Sequence, residues 1–145
     1  MHEILNDYPV IIEQPVAWGD LDLHGHVNNV WIFRYIENAR IAYYERIEKY
    51  EYERQSGTSF VLASTECKFR RPLTYPATVS IGARVSEIQA DRMLMDYLLV
   101  SGPDQLIAAE ARATLVSFDY RTNQKSQFPD ELKSRIENLQ KAVEL

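Results

Sequence analysis

The sequence predicts an α+β fold in which one antiparallel sheet wraps around one long helix. Two patterns carry this prediction: apolar side chains at helical spacing over residues 30–54, and a two-residue apolar alternation that begins after Gly57. A helix with one apolar stripe needs a broad apolar surface to cover it, and the concave face of a sheet provides one. The 145 residues fit a single domain, which we expect to span residues 1–145.

The first predicted strand covers residues 10–18, where Pro15 indicates a sheet edge or a bulge. One long helix is then predicted over residues 30–54, and its apolar positions are Ile32, Ile36, Ala39, Tyr43 and Ile47. Glu37 and Arg40, three positions apart on this helix, predict a surface ion pair. Gly57 is the predicted helix terminator.

Four strands are predicted after the helix. The first is interpreted as half-buried because Val61, Ala63, Thr65, Cys67 and Phe69 alternate with polar residues. The other three cover residues 79–86, 93–100 and 106–120. Pro129 opens a terminal helix whose apolar face contains Leu132 and Ile136. The exposed sheet edge favours pairing with a second copy, so a homodimer or homotetramer is expected.

Composition narrows the function classes. Hydrophobic residues make up 46% and charged residues 26%, which is typical of a folded globular chain. The net charge is −5, whereas nucleic-acid binders are typically basic. No apolar run reaches the roughly 20 residues that span a membrane. The single cysteine, Cys67, excludes an internal disulfide and suggests a reducing compartment. We therefore expect a cytoplasmic protein without nucleic-acid or membrane partners.

The segment from residue 18 to residue 40 concentrates the candidate chemistry, because carboxylates, imidazoles and glycines directly precede the helix. Asp22 is the candidate nucleophile or general base, and His26 could orient water or protonate a leaving group. Backbone N–H groups of residues 27–30 would stabilise an oxyanion at the helix start, where Asn28 is the predicted N-cap. Gly25 allows the backbone to approach a substrate closely.

These residues carry a family resemblance. Asp20-Leu-Asp22, Gly25-His26-Val27-Asn28-Asn29 and the helical Tyr35, Glu37 and Arg40 resemble the hotdog-fold thioesterases of the 4-hydroxybenzoyl-CoA thioesterase type. The string DLDLHGHVNN also looks like the equivalent loop of acyl-carrier-protein thioesterases. The resemblance implies a hotdog fold and hydrolysis of an acyl thioester on CoA or acyl carrier protein, without a metal or organic cofactor. It also implies that a partner chain can complete the site.

The resemblance also assigns residue roles. The essential carboxylate of the hydroxybenzoyl-type enzymes falls on Asp22, and the N–H that polarises the thioester carbonyl falls on Asn29. In the carrier-protein branch an Asp, an Asn and a His work together, and these positions are Asp22, His24 and His26 here. His24 thus stands where that branch has an asparagine.

Several alternatives stay open from the residues alone. Asp20 and Asp22 could form Asx-turns in a polar loop, with Asp20 the more structural of the two. A hotdog hydratase or dehydratase also uses Asp and His, although its loop has a different spacing and a proline. A non-catalytic acyl-CoA-binding module would keep the fold without turnover. A calcium loop is rejected because its twelfth position is Trp31, where a glutamate is required.

The phosphates of CoA require cations. Val27, Asn28 and Gly25 are expected to contact the thioester end of the substrate, and Arg70 and Arg71 its phosphates. The full candidate patch is Lys68, Arg70, Arg71, Arg84 and Arg92. The same cations could equally form a solvated strand face. No metal site is predicted, because His2 is the one histidine outside the loop and no cysteine cluster exists.

Overall fold

The structure, a computed structural model, describes residues 3–102 and 104–143. Its helices and strands are β1 (Val10–Pro15), α1 (Asn29–Arg46), α2 (Lys49–Ser56), β2 (Thr58–Phe69), β3 (Thr78–Ile88), β4 (Arg92–Ser101), β5 (Ile107–Asp119), β6 (Gln124–Lys125) and α3 (Asp130–Lys141). Single turns of 3-10 helix occupy Glu3–Leu5 and Trp18–Asp20. The predicted α+β class is confirmed.

All six strands form one antiparallel sheet. Its order is β1-β3-β4-β5-β2, and the short β6 pairs with β5. β1 and β2 are therefore the outer strands of the five-strand path, and Pro15 ends β1 at an edge, where a missing N–H is tolerated. The predicted strand over residues 10–18 is shorter than expected, because a helical turn begins at Trp18.

The core lies between α1 and the concave face of the sheet. All five predicted apolar positions of the long helix are buried: Ile32, Ile36, Ala39, Tyr43 and Ile47. They share one cluster with alternating residues of the central strands, among them Ile81, Met95 and Leu99. Leu132 and Ile136 of α3 join the same cluster, so the predicted apolar face of the terminal helix is confirmed.

The prediction of one continuous helix over residues 30–54 is wrong. α1 ends at Arg46, and Glu48 adopts a left-handed conformation (φ 52°) before α2 begins. The guanidinium of Arg135 donates hydrogen bonds to the carbonyls of Ile47 (3.0 Å) and Glu48 (3.3 Å). The Ile47 carbonyl at the end of α1 thus receives its donor from α3, and the Glu48 carbonyl accepts both from α3 and from the N–H of Tyr52 in α2 (3.4 Å). Gly57 ends α2 with φ 76°, as predicted.

The interpretation of the first strand after the helix as half-buried is also wrong. Residues 61–69 of β2 are exposed except for Cys67, which is half-buried. The pairing register with β5 shifts between Leu62 and Ser64. A one-residue shift reverses which side chains face the core, so Leu62 shares the helix-facing side with Thr65, and Val61 faces outward. Strict alternation through this strand therefore failed at the bulge.

Candidate active site at the start of α1

Residues 17–29, which we call the site loop, connect β1 to α1. The loop contains a small hairpin, closed by a bridge between Leu21 and Val27 and by a hydrogen bond from the N–H of Asp22 to the carbonyl of His26 (2.8 Å). Leu23 at its tip is fully exposed, and the Asp22 carboxylate and both imidazoles lie on the surface of the chain. The candidate reactive groups are thus ordered by backbone contacts and open to a ligand.

The two oxygens of Asp22 differ. Oδ1 accepts hydrogen bonds from the N–H groups of His24 (2.8 Å) and His26 (3.3 Å), which is the Asx-turn geometry of a structural aspartate. Oδ2 accepts no hydrogen bond from the described part of the chain. The His24 N–H bond is the main reason that the pKa of this carboxyl lies below its usual value. Asp22 is therefore an ionised carboxylate with one oxygen held and one oxygen free.

The start of α1 is capped as the sequence predicts. The side chain of Asn28 accepts a hydrogen bond from the N–H of Val30 (2.9 Å), and its carbonyl accepts one from the N–H of Trp31 (2.8 Å). The confirmed N-cap fixes the first turn of the helix.

Only one of the predicted oxyanion donors, the N–H groups of residues 27–30, has no acceptor within the described residues. The N–H of Val27 donates to the carbonyl of Leu73 (2.8 Å), and the N–H of Asn28 donates to the carbonyl of Asp20 (2.9 Å). The N–H of Asn29 has no acceptor among residues 3–102 and 104–143. It lies at the positive end of the α1 dipole, where a backbone donor favours negative charge. The structure thus leaves free the N–H that the family resemblance selects.

A buried pair holds this loop against α1. Asp20 is only 6% exposed, and its Oδ2 accepts hydrogen bonds from the N–H of Ala17 (3.1 Å) and from the hydroxyl of Tyr35. Burial and the bond to Asp20 both raise the pKa of Tyr35, so its hydroxyl stays protonated as a donor. Sequence reasoning gave Asp20 a structural role but missed this partner. Tyr35 lies beside the apolar stripe of α1, so its burial could be predicted from the sequence. Its hydrogen-bond acceptor, Asp20, could not.

Gly25 lies at the turn of the hairpin with φ +77°, a conformation that side chains disfavour. A Cβ atom built there meets nothing within 4 Å. In this chain the glycine is therefore required by backbone conformation. The predicted close approach of a substrate at this point stays a prediction.

An open groove of about 320 Å³ runs between α1 and β2. Val30, Trp31, Phe33 and Leu62 supply its apolar lining, and the polar residues that line it are Arg34, Glu37, Arg40 and Thr65. Because Val30 and Trp31 immediately follow Asn29, the groove begins at the site loop. Trp31 is exposed, so its ring is available to a ligand in this groove.

The predicted ion pair between Glu37 and Arg40 is wrong. Glu37 pairs instead with Arg34 (2.9 Å), on the exposed side of α1. Arg40 is only 7% exposed; its Nε donates to the hydroxyl of Tyr97 (2.8 Å), and its guanidinium lies over the Tyr97 ring. A spacing of three residues did not reveal that these two side chains diverge into different environments.

Three of the five candidate phosphate-binding cations, Lys68, Arg70 and Arg84, lie together on the convex face of the sheet, and most of the five are neutralised. Arg70 pairs with Glu110 (2.7 Å), and Arg84 approaches Asp96 (3.7 Å). Arg92 pairs with its neighbour Asp91. Lys68 and Arg71 have no ion-pair partner in the part of the chain that the structure describes. The five predicted cations therefore do not form one uniformly positive surface.

The described residues contain neither a metal-binding cluster nor a membrane-spanning helix. No group of three or more histidine, cysteine, aspartate or glutamate side chains could hold a metal ion there. None of the helices is both long and apolar enough to cross a bilayer, as far as residues 3–102 and 104–143 are concerned. His2 lies outside the described residues.

Comparison with known proteins identifies the family. A family model described as the thioesterase-like superfamily matches residues 16–136. The chain belongs to the thioesterase-like superfamily. This membership confirms the resemblance and identifies the protein as a thioester hydrolase by class.

This superfamily member has relatives in sequence and in structure. It is 22% identical over 121 residues to the long-chain acyl-CoA thioesterase FadM of Escherichia coli, covering 83% of this chain and 92% of that protein. A Thermus thermophilus thioesterase, whose crystal structure contains coenzyme A and Zn, is 29% identical with a TM-score of 0.82, over 93% of this chain and 96% of that one.

A more distant structure supports the fold of this chain and nothing further. The 1,4-dihydroxy-2-naphthoyl-CoA thioesterase Slr0204 of Synechocystis matches with a TM-score of 0.80 at 16% identity, over 90% of this chain and 96% of that chain. The predicted hotdog architecture is confirmed.

Proposed function

We propose that this protein hydrolyses an acyl-CoA thioester to a free acid and the CoA thiol, with Asp22 as its reactive carboxylate. One observation carries the proposal: an ionised carboxylate with a free Oδ2 and a helix N-terminus with a free N–H, that of Asn29, occur in the same loop. Acyl transfer requires a group that attacks or activates water, and a donor for the developing oxyanion.

The proposed reaction follows from these two groups. The N–H of Asn29 donates a hydrogen bond to the thioester oxygen and stabilises the negative charge that develops there. Asp22 either removes a proton from an attacking water or attacks the carbonyl itself to form an anhydride that water then hydrolyses. In the first route the water oxygen forms the C–O bond as the C–S bond breaks, and the proton that Asp22 takes from this water passes to the thiolate. In the second route the Asp22 oxygen forms the C–O bond as the C–S bond breaks, and the thiolate takes a proton from His26 or solvent. Water then cleaves the anhydride, which releases the acid and restores the Asp22 carboxylate.

His26 is the proposed second catalytic side chain. Its backbone N–H and carbonyl both hydrogen-bond to Asp22, so the exposed imidazole extends from a backbone position next to the carboxylate. A histidine changes protonation near neutral pH, which suits it to orient water or protonate the leaving sulfur. Gly25, Val27 and Asn28 would contact the substrate through the backbone around this pair.

Coenzyme A as the carrier is supported by the relatives. FadM is named as a long-chain acyl-CoA thioesterase, and the Thermus thermophilus thioesterase was crystallised with coenzyme A. We propose that Arg71, with Arg70, contacts the phosphates. Arg71 has no carboxylate partner in the described chain, whereas Arg70 would have to exchange its bond to Glu110. Acyl carrier protein is the alternative carrier.

A second copy of the chain is the proposed cover for the exposed apolar surface around the site. Trp18, Leu23, Val30 and Leu62 are large, apolar and exposed, although they lie near polar catalytic candidates. Val30 and Leu62 line one groove, and Trp18 and Leu23 belong to the site loop that leads to it. Exposed apolar groups of this kind mark interaction surfaces. We therefore propose a homodimer or homotetramer of one hotdog domain, residues 1–145, that works in the cytoplasm.

The test is release of free thiol from acetyl-, hexanoyl-, palmitoyl- and benzoyl-CoA, followed with a chromogenic thiol reagent. Asp22→Asn keeps the Oδ1 acceptor of the hairpin and removes the charge, so we expect folded protein with turnover lowered by about 10²–10⁴-fold. Asp119→Asn is the matched control. Its Oδ1 also accepts two backbone N–H groups, from Arg121 (2.8 Å) and Thr122 (3.4 Å), at the far end of β5.

Near-normal turnover in Asp22→Asn would overturn the assigned carboxylate. Thiol release from acyl-carrier-protein thioesters alone would reassign the carrier. Stoichiometric acyl-CoA binding without release of thiol, in the native protein, would indicate a binding module. Rapid hydration of an enoyl-CoA would indicate a hydratase.

A further inference from the structure

The groove between α1 and β2 contains a buried cation that has no counter-ion among the described residues. Arg40 lies at the inner side of this groove and is only 7% exposed. Within the described ranges no carboxylate comes within ion-pair distance of its guanidinium. The other buried cation of the helical region, Lys49, pairs with Glu53 at 2.9 Å. Arg40 therefore departs from the rule that buried charges are paired.

The neighbours of Arg40 do not neutralise it. Tyr97 accepts the Nε hydrogen bond, and burial raises the pKa of Tyr97 to about 12, so its hydroxyl remains uncharged at neutral pH. Glu37 also lines the groove, but its carboxylate pairs with Arg34. The guanidinium thus has one neutral acceptor at Nε and offers the N–H groups of its two Nη atoms to a further partner.

The position of Arg40 matches the far end of a bound acyl group. The groove starts at Val30 and Trp31, beside the free N–H of Asn29, and Arg40 comes eleven residues after Asn29 in α1. Eleven residues of α-helix span about 16 Å, and helical side chains lean toward the N-terminus, which brings the guanidinium closer to the thioester. The apolar walls between these points, Trp31, Phe33 and Leu62, would cover methylene groups.

We propose that the preferred acyl group carries a carboxylate at its distal end, which Arg40 binds while the thioester lies at Asn29. This inference rests on the proposed thioesterase function and adds the substrate class. A planar guanidinium with two free N–H directions matches the two oxygens of a carboxylate. A dicarboxylic acyl chain would supply the missing counter-ion and fill the apolar groove at the same time.

Matched substrate pairs test the inference. Adipoyl-, suberoyl- and sebacoyl-CoA carry a distal carboxylate, and hexanoyl-, octanoyl- and decanoyl-CoA have the same chain lengths without it. We expect kcat/KM to favour the carboxylate-bearing member by roughly 10- to 100-fold at the best length, since a hydrogen bond to a charged group contributes about 1.5–3 kcal/mol. Each comparison uses the same enzyme preparation, so differences in folding cancel.

Variants identify the residue responsible. Arg40→Gln should abolish the preference while the unsubstituted thioesters are still hydrolysed. Arg40→Lys keeps the positive charge and should therefore retain part of the preference, which gives a second test if the glutamine variant folds poorly. Arg34→Gln is the matched control, because Arg34 lines the same groove on its exposed side and should leave the ratio unchanged.

The outcomes separate the two proposals. Equal or better hydrolysis of the unsubstituted thioesters by the native protein would overturn the carboxylate preference and leave the thioesterase function intact. A preference that persists in Arg40→Gln would overturn the role of Arg40. Absence of thiol release from every substrate would overturn the proposed function itself, and the inference with it.

Discussion

The site loop and the convex face of the sheet both contain charged residues, but these residues have different partners in the two places. On the convex face Arg112 and Arg84 both approach Asp96, and Arg70 pairs with Glu110. In the site loop Asp22 keeps one oxygen free, and Asn29 keeps a free N–H. A charged surface whose groups satisfy one another has little left for a ligand. The groups that the fold leaves without partners are the ones available for chemistry.

Among the variants that test this comparison, the largest effect is expected at the buried support of the site loop. Tyr35→Phe removes the hydroxyl that donates to Asp20, which ties the loop to α1. A small displacement of the Asn29 N–H would lower kcat by up to about 10²-fold with a smaller change in KM. Loss of a buried hydrogen bond to a charged group should also lower the free energy of unfolding by about 1.5–3 kcal/mol. Steady-state kinetics and urea unfolding measure the two effects.

Tyr43→Phe is the matched control for this prediction. It removes another buried hydroxyl of α1, the one that donates to Gln140 at 2.8 Å, far along the helix from the loop. We expect it to cost about 0.5–1.5 kcal/mol of stability without changing kcat. If both variants lost stability and neither lost kcat, Tyr35 would be a purely structural residue.

A second prediction concerns the pH dependence. The N–H groups of His24 and His26 lower the pKa of Asp22 below the usual 3.8, so its active, ionised form persists as the pH falls through the ordinary aspartate range. The acid limb of kcat/KM should therefore lie below that range and appear only as the pH falls through the lowered pKa. Initial rates between about pH 3 and 7, with circular dichroism to verify folding, test this. An acid limb near pH 6.5, the ordinary histidine value, would contradict it.

The third prediction compares two cations at one end of β2. Arg71→Glu removes an unpaired cation, whereas Arg70→Glu breaks an exposed pair with Glu110 that contributes about 0–1 kcal/mol. If phosphates bind there, KM for acyl-CoA should rise more for Arg71→Glu than for Arg70→Glu, and the effect should shrink at high salt. An unchanged KM in both variants would remove this end of the sheet from the site.

The smallest predicted effect is at Cys67. Burial raises the pKa of its thiol to about 11, so little reactive thiolate exists at neutral pH. Cys67→Ser should keep kcat essentially unchanged, and iodoacetamide should modify the native thiol much more slowly than the denatured one. Loss of turnover on alkylation of the native protein would show that this thiol lies closer to the substrate than its strand position indicates.

Much of the fold was predictable because local signals and tertiary packing agree. The stripe from Ile32 to Tyr43, the terminator Gly57 and the N-cap Asn28 each act through neighbours in the sequence. The failures have distant causes. The break after α1 is stabilised by Arg135, 88 residues beyond Ile47, and no glycine or proline marks it. The bulge in β2 lies within a run whose alternation is otherwise regular.

The site was predictable in part for the same reason. The loop and its helix start are contiguous in sequence, so the motif located Asp22 and Asn29 together. Which groups remain without partners depends on long-range contacts, such as the bond from Val27 to Leu73 and the bond from Tyr35 to Asp20. The isolation of Arg40 likewise depends on Tyr97, 57 residues away. Sequence spacing alone paired Arg40 with the wrong neighbour.

The contact of Arg135 with the end of α1 has a consequence for local unfolding. The Ile47 carbonyl receives its donor from α3, and the Glu48 carbonyl accepts both from α3 and from the N–H of Tyr52 in α2. The start of α1, by contrast, is capped by Asn28. The two ends of this helix should therefore open independently in native-state hydrogen exchange. Amides in the last turn of α1 should exchange together with those of α3, as one cooperative unit. The turn that carries the Asn29 N–H would keep its protection even when the C-terminal helix detaches.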